Sequence, residues 1–217
     1  SFATANDRRF SAWRHGERYR LTTINEITEE GLPRITVLDL FCDYIDLRHR
    51  VEVKDEFEKY RENLYTIGLE KLMLSKTQFI MDFPKDRLEE LRKCECEYRI
   101  LPYPHYAEDM VVLGMEEKDA KDICAIFLDH PIGKGSEEID GDKMRKTLEK
   151  DKKLALTVTL NLRNLKEKPE VLERWMKKSE VAKVADRIQD LLKALPKIDK
   201  KWDKPWWNTA VETPIIE

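Results

Sequence analysis

Nine prolines divide this 217-residue chain, and their positions fix where regular structure can begin and stop. Inside a helix a proline removes a hydrogen bond and clashes with the preceding turn, so it is tolerated at a first turn or beyond a last one. Pro33, Pro84 and Pro169 each head a stretch with apolar residues at helical spacing, whereas Pro131 and Pro196 each follow the end of one. Pro102 and Pro104 lie in "ILPYPHYAEDMVVLG" and forbid a helix there, so that aromatic-rich stretch reads as extended. The chain is therefore predicted to be mostly α, a small helical bundle with an inserted middle region and an extended Trp-rich C-terminal tail.

The apolar stripes give that reading its elements. After an irregular segment 1–32, Val37, Leu40, Phe41, Tyr44 and Leu47 predict a first amphipathic helix, and Phe57, Tyr60, Leu64, Ile67 and Leu74 a second. Leu88, Leu91 and Cys94 share one face of a shorter third, which completes a helical hairpin plus short helix over 33–99. The Pro-rich stretch, a helix through Ala120, Ile123, Cys124 and Phe127, and a loop around "GKGS" fill 100–141. A basic helical segment follows over 142–195. Leu154, Leu156, Val158, Leu160 and Leu162 alternate like a strand, while Leu148, Ala155, Val158, Leu162 and Leu165 recur like a helix, and length with flanking lysines favours the helix. From Ser179, read as an N-cap, Val181, Val184, Ala185, Ile188, Leu191, Leu192 and Leu195 form the cleanest stripe in the chain, which Pro196 stops. Residues 196–217 are a Trp/Pro-rich tail.

Charge is unevenly placed. Residues 143–204 carry 19 Lys/Arg against 10 Asp/Glu, a net +9, whereas residues 1–142 carry 21 against 31, a net −10. Such a basic stretch suits RNA or an acidic protein surface, and interspersed charges of both signs equally suit a solvated helix face. No apolar run approaches the roughly 18 residues of a spanning helix, so no direct membrane span is expected. The opening "SFATANDRRFSAWRHGERYR", with five Arg against two acids, resembles what remains of a mitochondrial targeting region after cleavage.

The usual carriers of chemistry are not grouped in the sequence. His15, His49, His105 and His130 are scattered, and Cys42, Cys94, Cys96 and Cys124 lack the Cys-x-x-Cys spacing of a zinc site. Gly133, Lys134, Gly135 and Ser136 fall short of the Gly-x4-Gly-Lys-Ser/Thr phosphate loop, and the acids of "EIDGDK" lack the ladder of a calcium loop. No catalytic, cofactor-binding or metal-binding residue is assigned.

What stands out is the tail "KKWDKPWWNT". Trp202, Trp206 and Trp207 can each bury about 150 to 250 Å², and Pro205 limits the entropy lost on docking. Trp202, Pro205, Trp206 and Trp207 are read as a clamp, either on another subunit as partner-binding residues or folded back over the chain's own helices.

Two separated stretches carry a resemblance. "VLDLFCDYIDLRHRVEVKDEFEKYRENLYTIGLEKL" and "VLERWMKKSEVAKVADRIQDLLKALPKIDKKWDKPWWNTAVETP" together resemble the accessory-subunit-5 family of the alpha subcomplex of mitochondrial complex I, the NADH:ubiquinone oxidoreductase. Leu40-Phe41 stands where the family's first helix has a Leu-Tyr-like pair, and Tyr60-Arg61 matches its second helix. Trp202, Pro205 and Trp206 match its closing Trp-x-Pro-Trp signature, with one extra residue between Trp202 and Pro205, and Pro196 departs from the family's last helix. The two stretches cover roughly 80 of 217 residues, with about 95 between them. The resemblance implies a small helical bundle without catalytic residue, flavin or iron–sulfur cluster, on the matrix side of the inner membrane and bound to other subunits of the complex. The expected function is that of a non-catalytic structural accessory subunit of the peripheral arm. Alternatives are a peripheral-stalk subunit of mitochondrial ATP synthase, a mitochondrial ribosomal or RNA-associated protein using residues 143–204, and an independent enzyme assembled from His105, Glu108, Asp109 and His130. The interspersed acids and the lack of base-stacking aromatics weigh against nucleic acid.

Overall fold

The computed structural model describes residues 10–15, 18–27, 33–54, 57–61, 64–84, 110–198 and 206–208, with side chains described over 38–54, 66–80, 114–198 and 206–208. The chain divides into two compact units, Ser1–Asp46 with Arg50–Phe57, and Leu47–His49 with Glu58–Glu217.

The first unit is built of strands. β1 (Phe10–His15), β2 (Arg18–Ile27) and β3 (Pro33–Phe41) form an antiparallel sheet in that order, with a register shift between Ile24 and Glu26. β4 (Tyr44–Asp46) pairs with β5 (Arg50–Glu52) so that Ile45 faces Val51. Val51 is buried between exposed Arg50 and Glu52, and the Arg50 guanidinium lies 3.8 Å above the Tyr44 ring. The helix expected through Val37, Leu40, Phe41, Tyr44 and Leu47 is therefore not formed. Ile35, Thr36 and Val37 are consecutive β-branched residues, stiff at χ1 and well suited to a pleated strand. So short an apolar run satisfies both periods, and pairing with β2 decides between them.

Helix dominates the second unit, whose six helices among the described residues form the predicted bundle. The stretch expected as a second helix splits: β6 (Phe57–Arg61) pairs with β7 (Leu64–Ile67), and only α1 (Leu69–Thr77) is helical. Between residues 33 and 84 the described residues thus form strands and one helix, not a helical hairpin; Leu88, Leu91 and Cys94 lie outside the described residues. β8 (Met81–Pro84) pairs antiparallel with β9 (Met110–Leu113), the end of the stretch expected to be extended.

α2 (Glu117–Asp129) buries Ala120, Ile123, Cys124 and Phe127 as its stripe predicts. α3 (Gly141–Lys150) and α4 (Lys152–Glu167) replace the single helix expected after residue 142. Asp151 makes the break: it is extended, and its carboxylate accepts from the amides of Lys153 at 2.9 Å and Leu154 at 3.0 Å, which caps α4. α5 (Pro169–Leu172) is a single turn opened by its proline. α6 (Lys178–Ala194) buries Val181, Val184, Ile188 and Leu191 and ends just before Pro196. Its N-terminus lies at Lys177 rather than at Ser179, because the Glu180 carboxylate accepts the Lys177 amide at 2.8 Å.

The helices pack α4 on α6, α2 on both α1 and α6, and α3 on α1, α4 and α6. A Cβ on Gly141 would stand 2.8 Å from the Ala194 Cβ, so the start of α3 approaches the end of α6 too closely for a side chain. Polar side chains lock the ends of these helices. Asn161, fully buried on α4, donates to the carbonyls of Thr77 at 2.8 Å and Phe79 at 2.9 Å and accepts the Met115 amide at 3.2 Å. The carbonyls of Phe127 and Leu128 at the end of α2 accept from Arg187, and Leu128 also from Lys183 at 2.8 Å, both on α6, where cations complement the helix dipole.

Candidate functional site

Trp206 and Trp207 stand against the second unit's own helices. They are 5% and 6% exposed, meet edge to face with ring centroids 4.7 Å apart, and share a core cluster with Ile80, against which Leu156 and Leu160 pack. Leu156 and Leu160 are one helical turn apart on α4, and their stripe forms the bed for the indoles. The Trp206 Nε1–H donates to the Thr157 hydroxyl at 2.9 Å, and that oxygen lies 2.7 Å from His49 Nε2. Two residues after Trp206, the Asn208 amide donates to the Arg48 carbonyl at 2.8 Å, and Arg48 Nη1 donates back to the Asn208 carbonyl at 3.2 Å.

Of the two clamps that their composition allows, on another subunit or over the chain's own helices, Trp206 and Trp207 form the second in the chain itself, covering α4. Trp202 and Pro205 lie outside the described residues.

The polar centre of the site is His49. Its backbone amide donates to Gln78 Oε1 at 3.0 Å, so Gln78, just past the end of α1, fixes the segment that presents the ring. An indole nitrogen only donates, so the Thr157 oxygen accepts there, and its own proton has two acceptors in reach, His49 Nε2 and the Lys153 carbonyl at 3.4 Å. Burial pushes the His49 pKa from 6.5 down to about 4, against an upward pull from Asp151 and with a downward push from Lys153. A histidine so buried is a structural hydrogen-bonding group, not a base poised near neutral pH.

A second buried ionisable group faces α1 from α2. Asp119 is 2% exposed, lies 3.5 Å from Lys76 Nζ, and has one buried oxygen without a hydrogen-bond partner. Lys76 makes its short contact, 2.6 Å, with Asp122 instead. Burial therefore raises Asp119 to about 6 despite Lys76, while for Lys76 the two carboxylates outweigh burial and hold its pKa above the ordinary value. Burial pushes the Cys124 thiol up to about 12, which leaves it unreactive as a thiolate at neutral pH.

The remaining candidates are structurally engaged or beyond the described residues. The Gly135 amide donates to Glu138 Oε2 at 2.7 Å, so the "GKGS" loop closes on the chain's own carboxylate. His130 Nδ1 lies 2.9 Å from the Glu137 carbonyl oxygen, and His105, Glu108 and Asp109 lie outside the described residues. Among the described residues no group of three or more His, Cys, Asp or Glu is placed to hold a metal ion, and no helix is long and apolar enough to cross a membrane. Sequence reading missed His49, Thr157 and Asn161 as partners because each acts across 49 to 108 residues of chain, and no local pattern encodes those pairings. Comparison with protein-family models, curated proteins and solved structures gives no significant match.

Proposed function

We propose that this chain is a non-catalytic structural subunit of a large mitochondrial assembly, with the peripheral matrix arm of complex I as the assembly it serves. One observation chiefly supports the structural role: four buried polar residues, His49, Thr157, Asn161 and Glu70, engage distant parts of the same chain. Groups used in this way hold a shape and are not left facing a substrate. The choice of assembly rests on the resemblance of the C-terminal stretch, where α6 and the tryptophans follow one another in the order that family uses. Charged faces on α3, α4 and α6 then select the neighbouring subunits, chiefly through rate of encounter and specificity.

The test is separation of gently solubilised mitochondrial complexes, with mass spectrometry locating this chain. Co-migration with NADH dehydrogenase activity is the expected result. Migration with ATP synthase or the ribosome overturns the assignment to complex I, and migration as a small free protein overturns the structural role itself.

A further inference from the structure

We propose that the corner where α3 meets α4 is a membrane-surface site, at which Lys146, Lys150, Lys152 and Lys153 rest the chain on the headgroups of an anionic bilayer without inserting into it. Residues 143–153 carry six Lys/Arg against two acids, in a chain whose net charge is −3. At about 100° per residue, Lys146 and Lys150 lie on the side of α3 away from its buried Met144 and Leu148, and Lys152 and Lys153 are the first two residues of α4. All four are exposed, and none is ion-paired among the described residues. The acids that stand near them are engaged elsewhere. Asp142 is held by Lys134 at 2.9 Å and by Arg145 at 3.0 Å, Glu149 lies 3.9 Å from Arg145, and the Asp151 carboxylate caps the amides of Lys153 and Leu154. Lys146 bears on Asp142 only behind those two cations. By contrast, the exposed Lys118, Lys121 and Lys193 each pair with a nearby acid, Glu116, Glu117 and Asp190.

Lys152 and Lys153 work against the helix that carries them. α2, α3 and α6 each have an acid in the first turn, as the helix dipole favours, whereas α4 has none and puts two cations there. A local inconsistency with no compensating contact in the chain is expected where a surface serves a partner. The chemistry of the corner selects a bilayer among polyanions. Met144, Leu148, Leu154 and Ala155 are all buried, so no apolar anchor is exposed between them, and protein interfaces are built around such anchors and depleted in lysine. No aromatic residue lies within 143–155 to stack a base. The ammonium is a point charge on a flexible stem and lacks the fork with which arginine reads single phosphates. A charged bilayer needs neither anchor nor fork: each lysine close to it strengthens binding about fivefold. Each of the four stands near another on one turn or across the Asp151 break, inside the distance of about 10 Å over which charge is felt at 0.1 M salt. The site goes beyond the reading as a subunit and does not depend on which assembly the chain joins.

The experiment is flotation of the full chain at low salt with vesicles of phosphatidylcholine alone or with about one third phosphatidylserine. The expected result is binding to the anionic vesicles only, lost when salt is raised to about 0.5 M. Lys150→Gln combined with Lys152→Gln is expected to weaken that binding about 25-fold, and Lys146→Gln alone, about fivefold, serves if the double variant does not fold. Lys118→Gln combined with Lys193→Gln removes the same charge from ion-paired lysines and is expected to leave binding within about twofold of the parent. Equal binding to both kinds of vesicle, no binding to the anionic ones, or the same loss in the two double variants overturns the proposal. So does tighter binding to a single-stranded RNA oligonucleotide or to polyglutamate than to the anionic vesicles at equal anion concentration.

Discussion

His49 and Asp119 are buried titratable residues with opposite effects on stability. His49 titrates at about 4 in the folded chain against 6.5 unfolded, so below pH 6.5 the unfolded chain takes up a proton that the fold refuses. Its contribution is fully present above pH 6.5 and is lost as pH falls toward 4, by about 3 kcal/mol in all. Asp119 titrates at about 6 folded against 3.8 unfolded, so the fold keeps a proton that the unfolded chain releases. Its contribution is present below pH 3.8 and is lost as pH rises toward 6, again by about 3 kcal/mol. The two slopes oppose each other between pH 4 and 6. Urea unfolding at several pH values is expected to show His49→Gln losing stability relative to the parent as pH rises through that window, and Asp119→Asn gaining it. Parallel curves for parent and variants would show that neither residue keeps its buried environment. Neither environment is legible in the sequence: His49 stands among charged neighbours and Asp119 in "EEKDAKD", and only the packing of α4 and α1 buries them.

At the scale of elements, helices here are fixed as much by side chains capping each other's ends as by their own stripes. Asn161→Leu removes two donors and one acceptor from buried backbone groups and is expected to cost about 3 kcal/mol or more in chemical denaturation. Asp151→Ala removes the cap that separates α3 from α4, with an expected loss of about 1 kcal/mol. Trp207→Ala removes one indole from the cluster of Ile80, Trp206 and Trp207, and a loss of about 3 to 5 kcal/mol by the same measurement is expected. A loss under about 1 kcal/mol in the last variant would mean that the indole is solvated in solution. The stripes of α2 and α6 were readable because they are long enough for the helical period to exclude the strand period. β3, β6 and β7 were not, because four to nine residues with mixed spacing fit both.

For the whole molecule, the contrast between −10 over residues 1–142 and +9 over residues 143–204 predicts, on the proposed reading as a subunit, that assembly with partners is sensitive to salt. Raising the ionic strength from low to physiological should slow association with an isolated partner subcomplex by about tenfold or more, measured as an association rate, with a smaller effect on dissociation. An unchanged rate would assign these charges to solvation alone. The sequence by itself determined the helical character of residues 117–194, the breaks at Pro131 and Pro196, and the placing of a large aromatic surface at the tail. Each of these follows from local chemistry: proline lacks an amide hydrogen, a helix repeats every 3.6 residues, and tryptophan is large and apolar. Tertiary structure alone decided that β3 to β7 pair as strands, that Trp206 and Trp207 close over α4, and that His49 meets Thr157 beneath them. Those outcomes depend on partners far along the chain, and the free energy of burying a group is set by what surrounds it, which no local stretch of sequence contains.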